Sequence, residues 1–216
     1  MFPAADAIVE LRPDFVRLTT PSRPTASRNE VFWCESPDCV EPVVADYQAR
    51  GLPFKWSCPP VPGLAEALRR HCSQEWLARA MRLEGRLSGG DRVVEVTEAT
   101  LPLFLSCSES GWGHDRQQSE DLAAAWRAGT HRFFLALQDE EPAGTAALSE
   151  LPGLSYLLGA QVLPSFRGRG LYRELLAARA SVALNPLGTL SRESTSAPIL
   201  EALGFETVVR YRMFQS

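Results

Sequence analysis

The stretch Gln161-Val162-Leu163-Pro164-Ser165-Phe166-Arg167-Gly168-Arg169-Gly170-Leu171-Tyr172 constrains this chain more than any other. It reads as the end of a strand, a proline-marked turn, a glycine-rich arginine loop and the first turn of a helix. Strong helix formers continue through Arg173-Glu174-Leu175-Leu176-Ala177-Ala178-Arg179-Ala180. The first amides of a helix have no partner inside it, and the helix dipole adds partial positive charge there. A glycine-bearing loop that opens such a helix is therefore suited to an anion. Gly168 and Gly170 let the backbone come close to a phosphate, and Arg167 and Arg169 add charged donors. The chemistry that needs this loop is the binding of a diphosphate group.

The common nucleotide loops do not match. No Gly-x-x-x-x-Gly-Lys-Ser/Thr run is present, nor a Gly-x-Gly-x-x-Gly between a first strand and its helix. The pattern Val-x-Pro-x-x-Arg-Gly-x-Gly resembles motif A of the GNAT family, the Gcn5-related N-acetyltransferases. In that family the loop holds the pyrophosphate of acetyl-coenzyme A (acetyl-CoA). The resemblance implies that role for Arg167, Gly168, Arg169, Gly170, Leu171 and Tyr172. It implies that backbone groups of Gln161, Val162 and Leu163 meet the pantetheine arm. Tyr172 departs from the usual small residue, so its side chain must point away from the phosphates.

A second stretch, Ser196-Ala197-Pro198-Ile199-Leu200-Glu201-Ala202-Leu203-Gly204-Phe205, reads as a short helix capped by Gly204 and followed by a strand over 206–214. It resembles motif B of the same family, matching at Leu203-Gly204-Phe205. The family's tyrosine position holds Leu200, which cannot protonate a leaving thiolate.

Composition narrows the field. The 216 residues are 45% hydrophobic and 22% charged, enough to build a sizeable core. A net charge of -4, with Lys55 the sole lysine, does not favour nucleic acid as a partner. No run reaches the length of a membrane span, and the first residues lack the basic start and apolar core of a secretory signal, so a cytoplasmic protein is expected. Five cysteines (Cys34, Cys39, Cys58, Cys72, Cys107) without knuckle spacing are expected to be reduced thiols, with no metal bound.

Periodicity from about Asp91 onward gives strand, two helices, three strands, helix, strand, helix, strand, which resembles the GNAT order. The two helices are read over 99–110 and from an N-cap at Ser119 to Gly129, with 139–142 as a hairpin turn. The earlier segment reads as a strand at 30–34, a helix at 40–50, a strand at 52–58, a helix at 64–71 and a strand or returning helix at 78–84. The fold class is α/β (α+β), and the resemblance implies a GNAT fold whose mixed central sheet is flanked by helices. Two related lobes are expected: a degenerate GNAT-like lobe over 1–88 and an intact acetyltransferase domain over 89–216, hinged at Ser88-Gly89-Gly90 within the joint from Arg86 to Asp91.

The resemblance implies an acyltransferase that moves acetyl from acetyl-CoA to an amine by direct attack. The acceptor is a small molecule or a peptide, and the protein a monomer or homodimer. The alternative is a coenzyme A-binding sensor or scaffold without turnover. The cleft is expected where the strand ending at Leu163 parts from a strand over 187–191. Candidate bases are Glu109, His114, Asp115, Glu120 and Glu150. Tyr156, Tyr172 and Tyr211 are candidate acids, Trp112 a candidate wall of the acceptor pocket, and Cys107 a core residue.

Overall fold

The computed structural model of the chain describes residues 6–85 and 87–216. Arg86 of the expected joint and residues 1–5 lie outside the described residues. The chain begins with β1 (Ile8–Leu11), β2 (Phe15–Thr19), β3 (Glu30–Cys34), α1 (Val40–Ala49), β4 (Lys55–Cys58), α2 (Leu64–Leu68) and β5 (Gln74–Leu83). It continues with β6 (Val93–Glu95), α3 (Leu101–Trp112), α4 (Arg116–Arg127), β7 (Arg132–Gln138), β8 (Glu141–Leu151) and β9 (Leu154–Val162). It ends with α5 (Leu171–Val182), β10 (Leu187–Arg192), α6 (Ala197–Glu201) and β11 (Glu206–Gln215).

The described strands make one mixed sheet in the order β1-β2-β3-β4-β11-β5-β10-β9-β8-β7-β6. Its centre is an exchange. β5, from the first half of the chain, lies antiparallel between β10 and β11 of the second half. β11, the last strand, lies antiparallel between β5 and β4. Outward from the β11/β5 seam the two sides repeat one pattern: a parallel pair (β3 with β4, or β9 with β10) joined by a helix, whose next strand crosses the seam.

The cores follow the exchange. Val31, Tyr47, Phe54, Trp56, Leu64 and Leu68 form one, and β11 contributes Phe214 to it. Leu157, Leu175, Leu187, Leu200 and Phe205 form a second, joined by Met81 of β5. On the other face of β7–β9, Phe104, Leu122, Phe133 and Leu135 form a third under α3 and α4. Adjacent residues of β9 divide between faces, Leu157 packing with the α5 core and Leu158 with the α3 core, as the two-residue period of a strand requires.

Several sequence expectations are corrected. β1 and β2 were not anticipated, because Ile8, Val9 and Leu11 of β1 are exposed and no alternation marks them. The segment 74–83 is a strand from Gln74 onward, held by two neighbours. Ser119 does not cap α4. Asp115 does, accepting from the Gln118 amide while the Gln118 side chain accepts from the Asp115 amide; Ser119 is buried one turn further in. α3 runs on through Gly111 and Trp112. The β7–β8 turn is only Asp139-Glu140, both at positive φ, which matches the twist of a tight hairpin. Gly90 of the expected joint lies against α5, where a Cβ would meet the Ala178 backbone at 3.1 Å. Cys34 and Cys39, which end β3 and precede α1, form a disulfide instead of two free thiols. Cys58, Cys72 and Cys107 are free.

A fragment of residues 89–216 lacks β5, so β10 and β11 each lose a neighbour and the second core loses Met81. We expect that fragment alone to show no cooperative urea transition, and co-expression with residues 1–88 to restore one. A cooperative transition in the isolated fragment contradicts this account.

Candidate functional site

The Leu163 amide still belongs to the sheet, donating to the Ala143 carbonyl at 2.8 Å. A single turn, Pro164–Phe166, then lifts the chain away from it. Gly168 and Gly170 follow at φ +78° and +83°, a left-handed backbone that glycine adopts at little cost. Gly170 is the N-cap of the twelve-residue α5. Among the described residues, no protein acceptor meets the amides of Gly168, Arg169, Gly170, Leu171 and Tyr172, whereas those of Arg173 and Glu174 turn back to the Gly170 carbonyl. The loop thus offers five successive donors at the positive end of a helix.

Arg92, not anticipated from sequence, holds this loop from behind. Its guanidinium donates to the Arg169 carbonyl at 2.9 Å and to Gln138 Oε1 at 2.7 Å, and it pairs with Glu174 of α5. The Glu174 carboxyl is held below its ordinary pKa by that hydrogen bond. The two glycines differ. A Cβ at Gly170 would face Arg92 Nη2 at 3.7 Å, so Gly170 serves the backbone angle. A Cβ at Gly168 would meet nothing within 4 Å and would project into open space. Arg169 rests its guanidinium over the Phe166 ring at 5.5 Å, and Arg167 is exposed with Nε on the Val162 carbonyl at 3.2 Å. Tyr172 turns inward as its size requires. It packs against the second core, and burial raises its pKa against the opposing effects of the Arg179 charge and a hydrogen bond to Ser196.

Upstream of the loop the sheet comes apart. β9 and β10 pair only at Leu187↔Ser155 and Gly188↔Tyr156. Thr189 Oγ1 then caps the Leu157 carbonyl at 3.1 Å, and from there β10 follows β5 alone. On its other edge β9 carries a bulge against β8: Gly159 (φ +46°) and Ala160 together oppose Ala146. Arg179 of α5, only 1% exposed, reaches into this gap. Its Nη1 donates to the Ala147 and Leu158 carbonyls at 3.1 and 3.2 Å, and Nε to Leu175 at 2.9 Å. Burial lowers its pKa to about 10, which leaves it charged at neutral pH.

The side chain of Gln161 lies under α3, donating to the Cys107 carbonyl at 3.1 Å and to Thr145 Oγ1 at 3.2 Å. It fits because residue 111 is glycine; a Cβ there would stand 1.8 Å from Gln161 Oε1. Val162 and Leu163 complete the free stretch of β9 before the loop.

On the α3–α4 side of the bulge lies a cavity of about 250 Å³, lined by Phe104, Ser108, Trp112, His114, Leu122, Phe133, Thr145, Leu158 and Gly159, with Ala146 and Ala147 beneath. His114 stacks on Trp112, centroids 6.4 Å apart and planes 16° from parallel. Its Nδ1 is buried with no hydrogen-bond partner among the described residues. Burial first, then the charge of Arg28, holds its pKa below the ordinary histidine value. The other candidate bases have structural employment. Glu109 accepts from Ser119 at 2.6 Å, Asp115 caps α4, Glu120 pairs with Arg116, and Glu150 accepts from Ser155 and Asn185 at the opposite end of the β8–β9 hairpin. Cys107 is core, its thiol pushed up to about 11 by burial. Leu200 is likewise core, 1% exposed. Tyr156 and Tyr211 line a second cavity of about 350 Å³ at the central strands; Tyr156 has its pKa raised by burial.

Residues 97–200 match the sequence model of the acetyltransferase (GNAT) family. No curated protein sequence matches the chain. Among solved structures, a conserved protein of unknown function from Staphylococcus epidermidis superposes at TM-score 0.72 and 13% identity over 99% of this chain and 95% of its own. A GCN5-related N-acetyltransferase from Kribbella flavida gives 0.66 and 16% over 97% and 89%. A tandem GNAT protein from the clavulanic acid biosynthesis pathway gives 0.60 and 14% over 94% and 78%. At these identities the likeness is one of fold.

In a helix, Gly→Ala ordinarily stabilises by roughly 1 kcal/mol. Gly111→Ala is expected to do the reverse, because the Gln161 side chain must leave both its acceptors; a urea midpoint equal to or above the parent's contradicts this packing.

Proposed function

We propose that the chain, whose residues 97–200 match the acetyltransferase (GNAT) family, transfers an acetyl group from acetyl-CoA to an amine. The observation that carries this reading is the run of five unclaimed amides from Gly168 to Tyr172, at the end of a strand whose neighbour has parted from it. A diphosphate fits there: it is a multivalent acceptor, and the loop supplies donors, a helix dipole and the charges of Arg167 and Arg169. Acetyl-CoA supplies the activated acetyl carbon. The chain's own part is placement. The free edge of β9 over Gln161, Val162 and Leu163 can take the amides of the pantetheine arm as a further strand would. The bulge at Gly159 turns backbone groups toward the reacting carbonyl, where fixed donors act more strongly than water. The acceptor amine enters from the α3–α4 side and gives up one proton as it attacks.

The N-terminal segment over 1–88 is, in this reading, a degenerate related lobe. The support is the repeated strand pattern on either side of the β11/β5 seam, and the likeness to a structure described as a tandem GNAT protein. That lobe has no Arg-Gly-x-Gly loop and is assigned no coenzyme A. No described helix is long and apolar enough to cross a membrane. A cytoplasmic monomer or homodimer remains part of the proposal.

A second reading, a coenzyme A-binding sensor without turnover, is favoured by Leu200, which is sealed in the core at the position expected to supply a proton. Release of thiol from acetyl-CoA across a broad amine screen separates the two; binding without release selects the sensor. Calorimetry tests the loop itself. Gly168→Trp is expected to abolish acetyl-CoA binding, with about 1–2 kcal/mol lost in stability for the left-handed backbone. Arg169→Ala is expected to weaken binding about fivefold at low salt and to flatten its salt dependence. Unchanged affinity in Gly168→Trp overturns the site.

A further inference from the structure

We infer that the cavity between the α3–α4 connection and the β9 bulge receives the acceptor, that this acceptor is a primary amine carried on a compact apolar or aromatic group, and that His114 takes its proton. The inference rests on the acetyl-transfer reading and narrows it to a substrate class and a base.

The lining decides the class. Leu158 and Gly159 put the cavity's inner wall at the bulge, where the free stretch of β9 begins. Its body is Phe104, Leu122 and Phe133, with Trp112 at the exposed end. Its polar groups are Ser108, Thr145 and His114, and no carboxylate lines it. Small-molecule sites commonly combine an apolar body with a few placed polar groups in this way. Thr145 is already bound to Gln161 and lies near Ser108 at 3.4 Å. A second ammonium on the acceptor would therefore lose its water with no carboxylate among the described lining residues to meet it, the nearby Asp115 and Glu109 being engaged by Gln118 and Ser119. Flat apolar groups meet the opposite situation, since Phe104 and Trp112 offer aromatic surface. At about 250 Å³ the space suits one ring and a short chain, not an oligosaccharide.

The same enclosure selects the base. The charged groups around His114 are Asp115 on its own loop, Glu109 on α3, and Arg28 from the connection between β2 and β3. Asp115 and Glu109 are engaged by Gln118 and Ser119, and Arg28 is held by Asp121 of α4 at 3.0 Å. His114 Nδ1 is the group left without a partner. In the transfer, the amine lone pair forms the C–N bond and the C–S bond breaks with its electron pair on sulfur. The amine proton passes to the His114 imidazole and then to solvent, and the thiolate takes a proton from water.

The test uses the full chain with acetyl-CoA and two probes, 2-phenylethylamine and spermidine, followed by thiol release. We expect kcat/KM for 2-phenylethylamine to exceed that for spermidine by at least about tenfold. Trp112→Ala should raise KM for 2-phenylethylamine severalfold with kcat little changed. His114→Gln should lower kcat about a hundredfold. It should also remove the acid limb of the parent's pH profile, which falls as the imidazole protonates below the ordinary histidine range. Calorimetry of 2-phenylethylamine on the protein with coenzyme A reads the cavity without turnover. If acetyl-CoA itself does not bind, the acetyl-transfer reading falls. If acetyl-CoA binds while 2-phenylethylamine neither binds nor reacts, or spermidine is the better acceptor, this inference falls and the transfer reading stands. A His114→Gln variant with parental kcat and pH profile removes His114 as the base.

Discussion

The buried guanidinium of Arg179 is the contact on which the second half of the molecule depends. A bulge takes backbone groups out of a ladder, and unpaired carbonyls inside a protein are costly. Here the Ala147 and Leu158 carbonyls that flank the irregularity are both taken by one side chain from α5. Burying that charge carries its own penalty, visible in its lowered pKa, and three carbonyl hydrogen bonds offset it. Because the arginine loop leads directly into the helix that carries Arg179, the bulge and the five unclaimed amides of the loop are fixed relative to each other by one rigid element. Arg92 holds the loop from the other side, tying the Arg169 carbonyl to Glu174 of α5 and to Gln138 at the end of β7.

Among the candidate bases, the carboxylates are engaged in the fold and His114 is not. Four carboxylates close in sequence to the site are held by a cap, an ion pair or hydroxyl donors. Each is satisfied, and each would lose its partner if it moved toward a substrate. His114 differs because its ring is fixed by stacking on Trp112 while its buried nitrogen stays free. Arg28 depresses the affinity of that nitrogen for a proton, so the first half of the chain tunes the second through space while its ion pair with Asp121 holds α4 in place.

The reactive half was legible because its signals are local. Proline and two glycines within seven residues mark the loop, and the apolar periods place α3 and α5 to within two or three residues, whereas the cap of α4 lies at Asp115 and not at Ser119. Gly204 marks the end of α6. What was not legible depends on contacts distant in sequence. Arg92 is one arginine among many until Arg169, Glu174 and Gln138 surround it. Arg179 reads as an ordinary helix former, and Gly159 as any glycine in a strand. The Cys34–Cys39 bond joins residues whose spacing matches no familiar motif. His114 stood among five candidates, and only burial and the engagement of the others set it apart. The exchange of β5 and β11 is invisible to any periodicity, since both strands alternate as they would in either position.

That exchange has a consequence for how the protein comes into being on the ribosome. β4 and β5 emerge early, but the strand that fills the space between them, Glu206–Gln215, is made only after α3, α4 and α5. Until β11 is made, two strand edges stand open, and open edges invite pairing with the wrong chain. Closure of the sheet is therefore a late event of synthesis, and a nascent chain stalled before Glu206 is the form most in need of a chaperone.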